Sequence, residues 1–169
     1  MLVYNPAFDI HHGIFRMLQL LVRLYPNRVE VDKLLILDFY LLFPNKLPEA
    51  KLTSDVRLLT NKIVNYKENP YSKVSNAKIL FNQMRNYQLA SLSCLASYSL
   101  IDKELLEAGW VELEIASLSQ DVKSTIADHY LKESALIDLL TKHLAKIDLK
   151  NNSGLKSRTG LMEYRYDIR

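Results

Sequence analysis

The sequence predicts a mainly α-helical domain with a few short β-strands and a long C-terminal helix. Three observations favour this fold class. Apolar residues recur at three- and four-residue spacing over most of the chain, and only short segments alternate as strands do. The 169 residues contain four glycines and five prolines, so long helices are expected. With 49% hydrophobic and 24% charged residues, the composition is that of one globular domain, residues 1–169.

The opening segment, residues 1–50, should form a helix, a short strand and a second helix. Apolar steps predict the first helix over about residues 8–24, and residues 28–31 alternate as a strand does. Asp32 should cap the second helix, because its carboxylate can accept from free amides of the first turn. Residues 34–43 are apolar on almost every side, which indicates a helix packed on several sides. This order of elements is winged-helix-like.

The connector that follows contains two prolines, Pro44 and Pro48, which should end the second helix and form a short extended stretch. Thr53 or Ser54 can then cap a third helix. The Asn-Pro-Tyr turn at residues 69–71 should end that region, since the residue before a proline is biased away from helix.

A second winged-helix-like segment should occupy residues 75–116. Ser75 can cap a long helix, which the pattern allows to be continuous or a kinked pair. Asp102 should cap a short helix, and Gly109 should end that helix in the left-handed conformation. Residues 110–114 alternate as a strand does, so a helix–helix–turn–strand order is expected.

Residues 119–149 carry the strongest helical pattern of the chain. Apolar residues follow three-, four- and seven-residue steps, with charges on the opposite side. Such a broad apolar stripe favours docking on the chain's own core over an intermolecular coiled coil. The same stripe nevertheless supplies three candidates for a partner interface, namely Leu136, Leu140 and Leu144.

The C-terminal tail, residues 155–169, should follow a break at residues 151–154. It alternates and could add a strand to a sheet edge. It is also basic and aromatic, which suits contacts to the phosphates or bases of DNA, although an exposed strand edge or a partner-binding segment is an equal alternative. The candidate DNA-binding residues of the tail are Lys156, Arg158, Tyr164 and Arg165.

Charge and cysteine content limit the class of protein further. A net charge of +3 and a pI near 8.9 are too weakly basic to imply nucleic acid binding by themselves. The single cysteine, Cys94, lies in an apolar run and should be a small core residue, so no disulfide framework is expected. We expect neither a signal peptide nor a membrane span, and a bacterial cytoplasmic location.

The sequence offers no recognisable catalytic constellation. The four glycines are scattered and form no phosphate-binding loop, and no nucleophile-elbow motif is present. His129 and His143 share a helix face but would be about 21 Å apart at a rise of about 1.5 Å per residue, so they cannot bind one metal ion. We therefore expect a protein that is not an enzyme and has no cofactor.

Several stretches resemble a known family. The opening YNPAFDIHHGIFRMLQLL, the following VEVDKLLILDFYLLFP, the turn at residues 69–71, LASYSLID and the closing TGLMEYRYD are similar to the middle component of bacterial ABC-three-component systems. This group includes Lamassu-type defence against phages and plasmids. The resemblance covers most of the chain and rests on apolar helix patterns with a few polar fixed points.

The resemblance implies a function. In such systems an SMC-like ABC ATPase senses DNA and an effector, often a nuclease, does the damage. The middle component is a non-catalytic bridge, comparable to the kleisin or winged-helix subunits that join SMC heads, and meets DNA within the complex. On this reading the candidates for partner or intradomain contacts outside the long helix are Tyr4, Asn5, Asp9, Arg16 and Asp38, with Arg158, Tyr164 and Arg165 of the tail.

An alternative function is a free-standing winged-helix regulator that binds DNA. Such a protein needs a basic recognition helix. Lys78 and Arg85, seven residues apart on one helix face, are the only modest candidates. A regulator should bind a defined duplex alone and with steep salt dependence, whereas a bridge should bind DNA weakly or only within its complex.

Overall fold

The computed structural model describes residues 5–64 and 76–163, and it confirms the mainly α-helical fold. A two-stranded sheet is the only sheet among these residues. The elements are α1 (Ile10–Leu24), β1 (Val29–Glu30), α2 (Val31–Leu42), α3 (Ser54–Ile63), α4 (Ala77–Ser97), α5 (Lys103–Glu107), β2 (Trp110–Val111), α6 (Gln120–Asp138) and α7 (Leu155–Thr159).

Helix α2 lies at the centre of the core. Its residues from Lys33 to Leu41 are all buried, as its apolar composition predicts, and α1, α4 and the end of the long helix pack around it. The capping role predicted for Asp32 is wrong. The amide of Val31 donates to Gly109 O at 2.9 Å, so the helix begins directly after β1 with Glu30 at the N-cap. Asp32 therefore lies in the first turn of α2.

The two strands pair antiparallel across about half the chain, with Val29 opposite Val111 and Glu30 opposite Trp110. This pairing does not confirm the winged-helix organisation. The local signals around β2 are confirmed: Asp102 Oδ1 accepts from the amide of Leu105 at 2.7 Å, and Gly109 has a φ of +87°. The strand is shorter than the predicted 110–114, and only a single further bridge forms beyond it.

Helix α4 is continuous over 21 residues and packs closely on α1. Ser75 lies outside the described residues, and Asn76 occupies the N-cap, where its side chain accepts from the amide of Lys78 at 2.9 Å. The two helices meet at Gly13, where an added Cβ would clash with Ser91 Oγ and lie 3.3 Å from Ser91 Cβ. A residue without a side chain is what permits this approach.

The long C-terminal helix is less regular than predicted. Ser119 caps α6, its Oγ accepting from the amide of Val122 at 3.3 Å, but Glu133 has non-helical angles of φ −124° and ψ 19°, so the helix bends there. Beyond Asp138 the chain continues as a π-helical turn, Leu139–His143, and a 3-10 turn, Leu144–Lys146. Before the bend only Ile126 of α6 is buried, whereas Ile137, Leu139, Leu140 and Leu144 after it are all buried, so the apolar stripe packs on the chain's own core mainly there.

Two connecting segments also differ from expectation. Pro44–Glu49 forms a 3-10 helix rather than an extended stretch, because proline at the first helical position is compatible with a helical turn. The strand predicted over residues 155–169 is wrong for Leu155–Thr159, which form α7. Gly160, with a φ of +65°, ends α7 as a left-handed C-terminal residue, a signal that outweighs the alternation. Residues 69–71 and 164–169 lie outside the described ranges.

Candidate functional site

A buried polar cluster joins α1, α2 and α4. Arg16 forms a two-pronged ion pair with Asp38, Nε to Oδ1 at 2.7 Å and Nη2 to Oδ2 at 3.2 Å. Gln88 Nε2 donates to Asp38 Oδ2 at 2.8 Å and to Leu35 O at 3.0 Å. Asp38 is 0% exposed, Gln88 1% and Arg16 8%. Because water has almost no access, the cluster holds the helices together and is not a surface for a ligand.

An open groove of about 1000 Å³ lies on the other side of α4. Four segments form its walls: residues 30–32 at the start of α2, 89–93 of α4, 106–110 around β2, and 148–151 after the long helix. Its apolar lining includes two large side chains that are more than one third exposed, Leu89 at 38% and Trp110 at 37%. Large apolar groups left open to water in a concave site are typical of binding surfaces.

The carboxylates at the α2 wall of the groove are already paired with cations. Asp32 Oδ2 lies 2.9 Å from Lys156 Nζ, and its Oδ1 lies 3.6 Å from Arg85 Nη2. Glu30 Oε2 lies 3.1 Å from Lys33 Nζ. The groove therefore has no pair of carboxylates poised for proton transfer at this wall.

The exposed residues of α4 include two cations, Lys78 and Arg85, but the positions beside them are uncharged. At about 3.6 residues per turn, these uncharged exposed and half-buried positions form one long stripe. Solvent faces of helices normally carry charges, so a neutral stripe along a helix of 21 residues is unusual. We call this stripe the uncharged face of α4; it consists of Ile79, Asn82, Gln83, Asn86, Leu89, Ala90, Ser93 and Ser97.

The uncharged face and the groove form one continuous surface, because Leu89 and Ser93 belong to both. Sequence reasoning missed this surface. The absence of charge along one side of α4 was visible in the sequence, but the groove was not, since its four walls come from distant parts of the chain. Among residues 5–64 and 76–163, no group of three or more His, Cys, Asp or Glu could hold a metal ion.

Comparison with known families identifies the chain. A family model described as the ABC-three component (ABC-3C) system Middle Component 5 matches residues 2–167. The chain belongs to this family. No curated protein and no solved structure matches it significantly. The family suggested by the opening, middle and closing motifs is thereby confirmed at the level of ABC-3C systems, and the protein is a middle component of such a system.

Four of the candidate contact residues of this middle component, Asn5, Asp9, Arg16 and Asp38, have partners within its own fold. Asn5 Oδ1 accepts from the amide of Ala7 at 3.0 Å, and Asp9 Oδ1 accepts from the amide of His12 at 3.1 Å, so both act as helix caps. Arg16 and Asp38 form the buried pair described above. Tyr4 lies outside the described residues.

The leucines predicted as a partner interface are turned toward the core. Leu140 and Leu144 are both 0% exposed, and Leu136 is half-buried against the same core. Leu140 and Leu144 therefore present no side-chain surface to another protein in the folded middle component, whereas Leu136 is partly exposed. The apolar stripe of the long helix serves the chain's own packing, which was the favoured interpretation of its width.

The basic residues predicted to bind DNA are only partly accessible. Lys156 is 6% exposed and paired with Asp32, so contact with a phosphate would require that ion pair to break. Arg158 donates to Lys51 O at 2.9 Å and fixes α7 to the segment before α3. Lys78 and Arg85 are exposed at one edge of the uncharged face. Tyr164 and Arg165 lie beyond the described part of the chain.

A second polar cluster fastens α6 to α1 across the bend at Glu133. The guanidinium carbon of Arg23 lies 3.3 Å from the centroid of the Tyr130 ring. Tyr130 Oη donates to Asp138 Oδ1 at 2.9 Å, and Lys142 Nζ lies 2.7 Å from Asp138 Oδ2. The hydrogen bond from Lys142, with that from Tyr130, holds the pKa of Asp138 below its usual range.

No helix in the described ranges is long and apolar enough to cross a membrane.

Replacing Asp138 with asparagine should lower the thermal midpoint near neutral pH, and the difference from the wild type should shrink as the pH falls below about 4. A carboxylate with a lowered pKa in the folded state stabilises the fold above its unfolded pKa, and this contribution is lost as the pH falls through the folded pKa. Thermal unfolding followed by circular dichroism between neutral and acidic pH measures this. Glu107→Gln, at an exposed pair with Lys103, is the control and should change little. A pH-independent difference for Asp138→Asn would contradict the role of ionisation.

Proposed function

We propose that this middle component is a non-catalytic bridging subunit, acting in the bacterial cytoplasm in defence against phages and plasmids. It would dock on an SMC-like ABC ATPase and hold an effector, expected to be a nuclease, inactive until the ATPase engages DNA. The family match over residues 2–167 carries this proposal. It is further supported by the continuous apolar and uncharged surface along α4, since a bridge needs at least one face that binds protein.

The geometry of the groove also supports a binding role over a catalytic one. Its carboxylates at the α2 wall pair with Lys33, Lys156 and Arg85, and none of its lining residues is a histidine or cysteine. A nucleophile with an adjacent general base is the minimum that covalent catalysis requires. The exposed Leu89 and Trp110 instead offer anchoring area to another protein.

Co-purification tests the bridging role. The chain, tagged and co-expressed with the ABC ATPase and the effector encoded beside it, should elute with both as one species of defined mass. Omitting the chain should separate the other two. A monomer or homodimer that leaves both neighbours behind contradicts the proposal.

Effector activity tests the restraint. Degradation of plasmid DNA by the co-expressed effector and ATPase should be lower with the middle component present than without it, in the absence of an activating DNA. Effector activity that is indifferent to the chain contradicts restraint while leaving a purely architectural bridge possible.

A free-standing DNA-binding regulator receives less support. Lys78 and Arg85 both lie at one edge of a stripe of uncharged side chains, and Arg85 also interacts with Asp32. Helices that read the major groove combine phosphate contacts with side chains that reach base edges. Titration of the isolated chain into a labelled duplex at several salt concentrations distinguishes the two functions, because a regulator should bind tightly and with a steep salt slope.

A further inference from the structure

We propose that the groove and the uncharged face of α4 bind an acidic amphipathic segment of a partner subunit. The apolar side of that segment would cover Leu89 and Trp110, and its carboxylates would meet the cations Arg28 and Arg85 at the rim. This inference rests on the proposed bridging function and names the surface and the chemistry of one of its contacts.

The apolar residues that form the floor of the groove favour a protein segment as its occupant. The groove is lined by the fully buried Leu92 and by Leu89, Leu106 and Trp110, of which Leu89 and Trp110 are more than one third exposed. The interior of a protein interface is depleted of charge and enriched in aromatic side chains. The floor has this composition, and the small residues Ala90 and Ser93 allow a backbone to approach α4 closely.

The charges around the groove select an acidic occupant. Glu30 and Asp32 are each balanced by a buried lysine, at 3.1 and 2.9 Å, and Asp148 shares its wall with Lys150. Asp32 thus faces two cations, because Arg85 Nη2 also lies 3.6 Å from its Oδ1, so this group carries one positive charge in excess, and 44% of the Arg85 side chain is exposed. Arg28 is a second exposed cation, and its guanidinium carbon lies 5.9 Å from the centroid of the Trp110 ring. Both arginines can form charge-assisted hydrogen bonds with carboxylates.

A second copy of this chain would fit the surface less well. It would present the same uncharged face flanked by the same cations, so two copies would bring Lys78 and Arg85 of each toward a rim that needs carboxylates. DNA would supply negative charge, but it would leave the exposed Ile79, Leu89 and Trp110 without apolar partners. An acidic amphipathic segment would supply apolar side chains to the floor of the groove and carboxylates to its rim.

Two substitutions with matched controls test the proposal. Leu89→Asp places a charge on the floor, and Leu131→Asp, at a leucine that is 77% exposed on α6, is its control. Arg28→Glu reverses a charge at the rim. Lys62→Glu on α3, away from the groove, changes the net charge of the chain by the same amount and is its control. Each variant is titrated into the purified ATPase and the purified effector encoded beside the chain, with circular dichroism confirming that it is folded.

We expect Leu89→Asp and Arg28→Glu each to weaken binding to one of the two subunits by about tenfold or more, and the controls by less than about threefold. The Arg28 effect should diminish at high salt, because it is electrostatic. Unchanged affinity of Leu89→Asp overturns this inference and leaves the bridging function standing. Failure of the wild-type chain to bind either subunit contradicts the bridging function itself.

Light scattering and duplex titration test the two other occupants considered, a second copy of the chain and DNA. A wild-type homodimer that Leu89→Asp converts to a monomer would show that the surface binds a second copy, which overturns the inference. Loss of duplex binding in both Leu89→Asp and Arg28→Glu, with partner binding unchanged, would assign the surface to DNA and equally overturn it.

Discussion

Asp38→Ala should lower the free energy of unfolding by about 3–5 kcal/mol, the largest effect expected of a single substitution here. The carboxylate is fully buried, and its removal leaves the Arg16 guanidinium without its counter-ion and Gln88 without one of its two acceptors. A typical domain is stable by only about 5–15 kcal/mol, so this loss removes a large share of the free energy of unfolding. Urea denaturation followed by circular dichroism measures the loss.

The matched comparison separates the loss of a charge pair from the loss of packing. In Arg16→Met/Asp38→Leu no buried charge remains, so this double variant should be more stable than Asp38→Ala, because buried pairs replaced by apolar residues of similar volume are often tolerated. Asp138→Ala removes an accessible carboxylate and should cost much less. A loss below about 1 kcal/mol for Asp38→Ala would show that the cluster is not a main source of stability.

Gly13→Val should destabilise the fold by about 1–3 kcal/mol or more, because the added atoms collide with Ser91 where α1 and α4 meet. The smaller Gly13→Ala is the sharper test. Glycine to alanine inside a helix normally stabilises by about 0.5–1 kcal/mol, whereas here the new Cβ displaces Ser91 Oγ from its contacts with Ile10 O at 3.1 Å and Tyr87 O at 2.9 Å. We therefore expect Gly13→Ala to lower the free energy of unfolding rather than raise it.

A double-mutant cycle identifies the source of that cost. In a Ser91→Ala background the Oγ is absent and only the contact to the Cβ, at 3.3 Å, remains. Gly13→Ala should then cost less than in the wild type, which gives a coupling free energy between the two positions. Equal costs in the two backgrounds would place the strain elsewhere. Urea denaturation of the wild type, the two single variants and the double variant measures the four free energies of unfolding.

Local signals in the sequence predicted much of the fold. Asp102 caps a helix as expected, and Gly109 is left-handed, because such signals need only neighbouring residues. The burial of α2 also followed from its composition. Where a tertiary contact competes with a local signal, the prediction was wrong: Asp32 has the right chemistry for a cap but pairs with Lys156, more than a hundred residues away.

The candidate site was harder to predict than the fold. Arg16 and Asp38 were candidates for partner or intradomain contacts on the family resemblance alone, and the structure shows that they pair with each other. Leu89 and Trp110 were counted only as part of helical and strand patterns. Their shared exposure depends on how four segments are arranged in space, and no spacing along the chain encodes it.

The four walls of the groove, residues 30–32, 89–93, 106–110 and 148–151, span most of the sequence. A truncation from either end of the chain that reaches one of these segments removes a wall of the groove. A series of such truncations would therefore lose binding at several boundaries, and a compact surface would look like an extended one. Conversely, a ligand that bridges all four walls favours the folded chain as a whole and should raise its resistance to proteolysis throughout. Point substitutions and protease protection are thus the tools suited to mapping the proposed binding surface of this middle component.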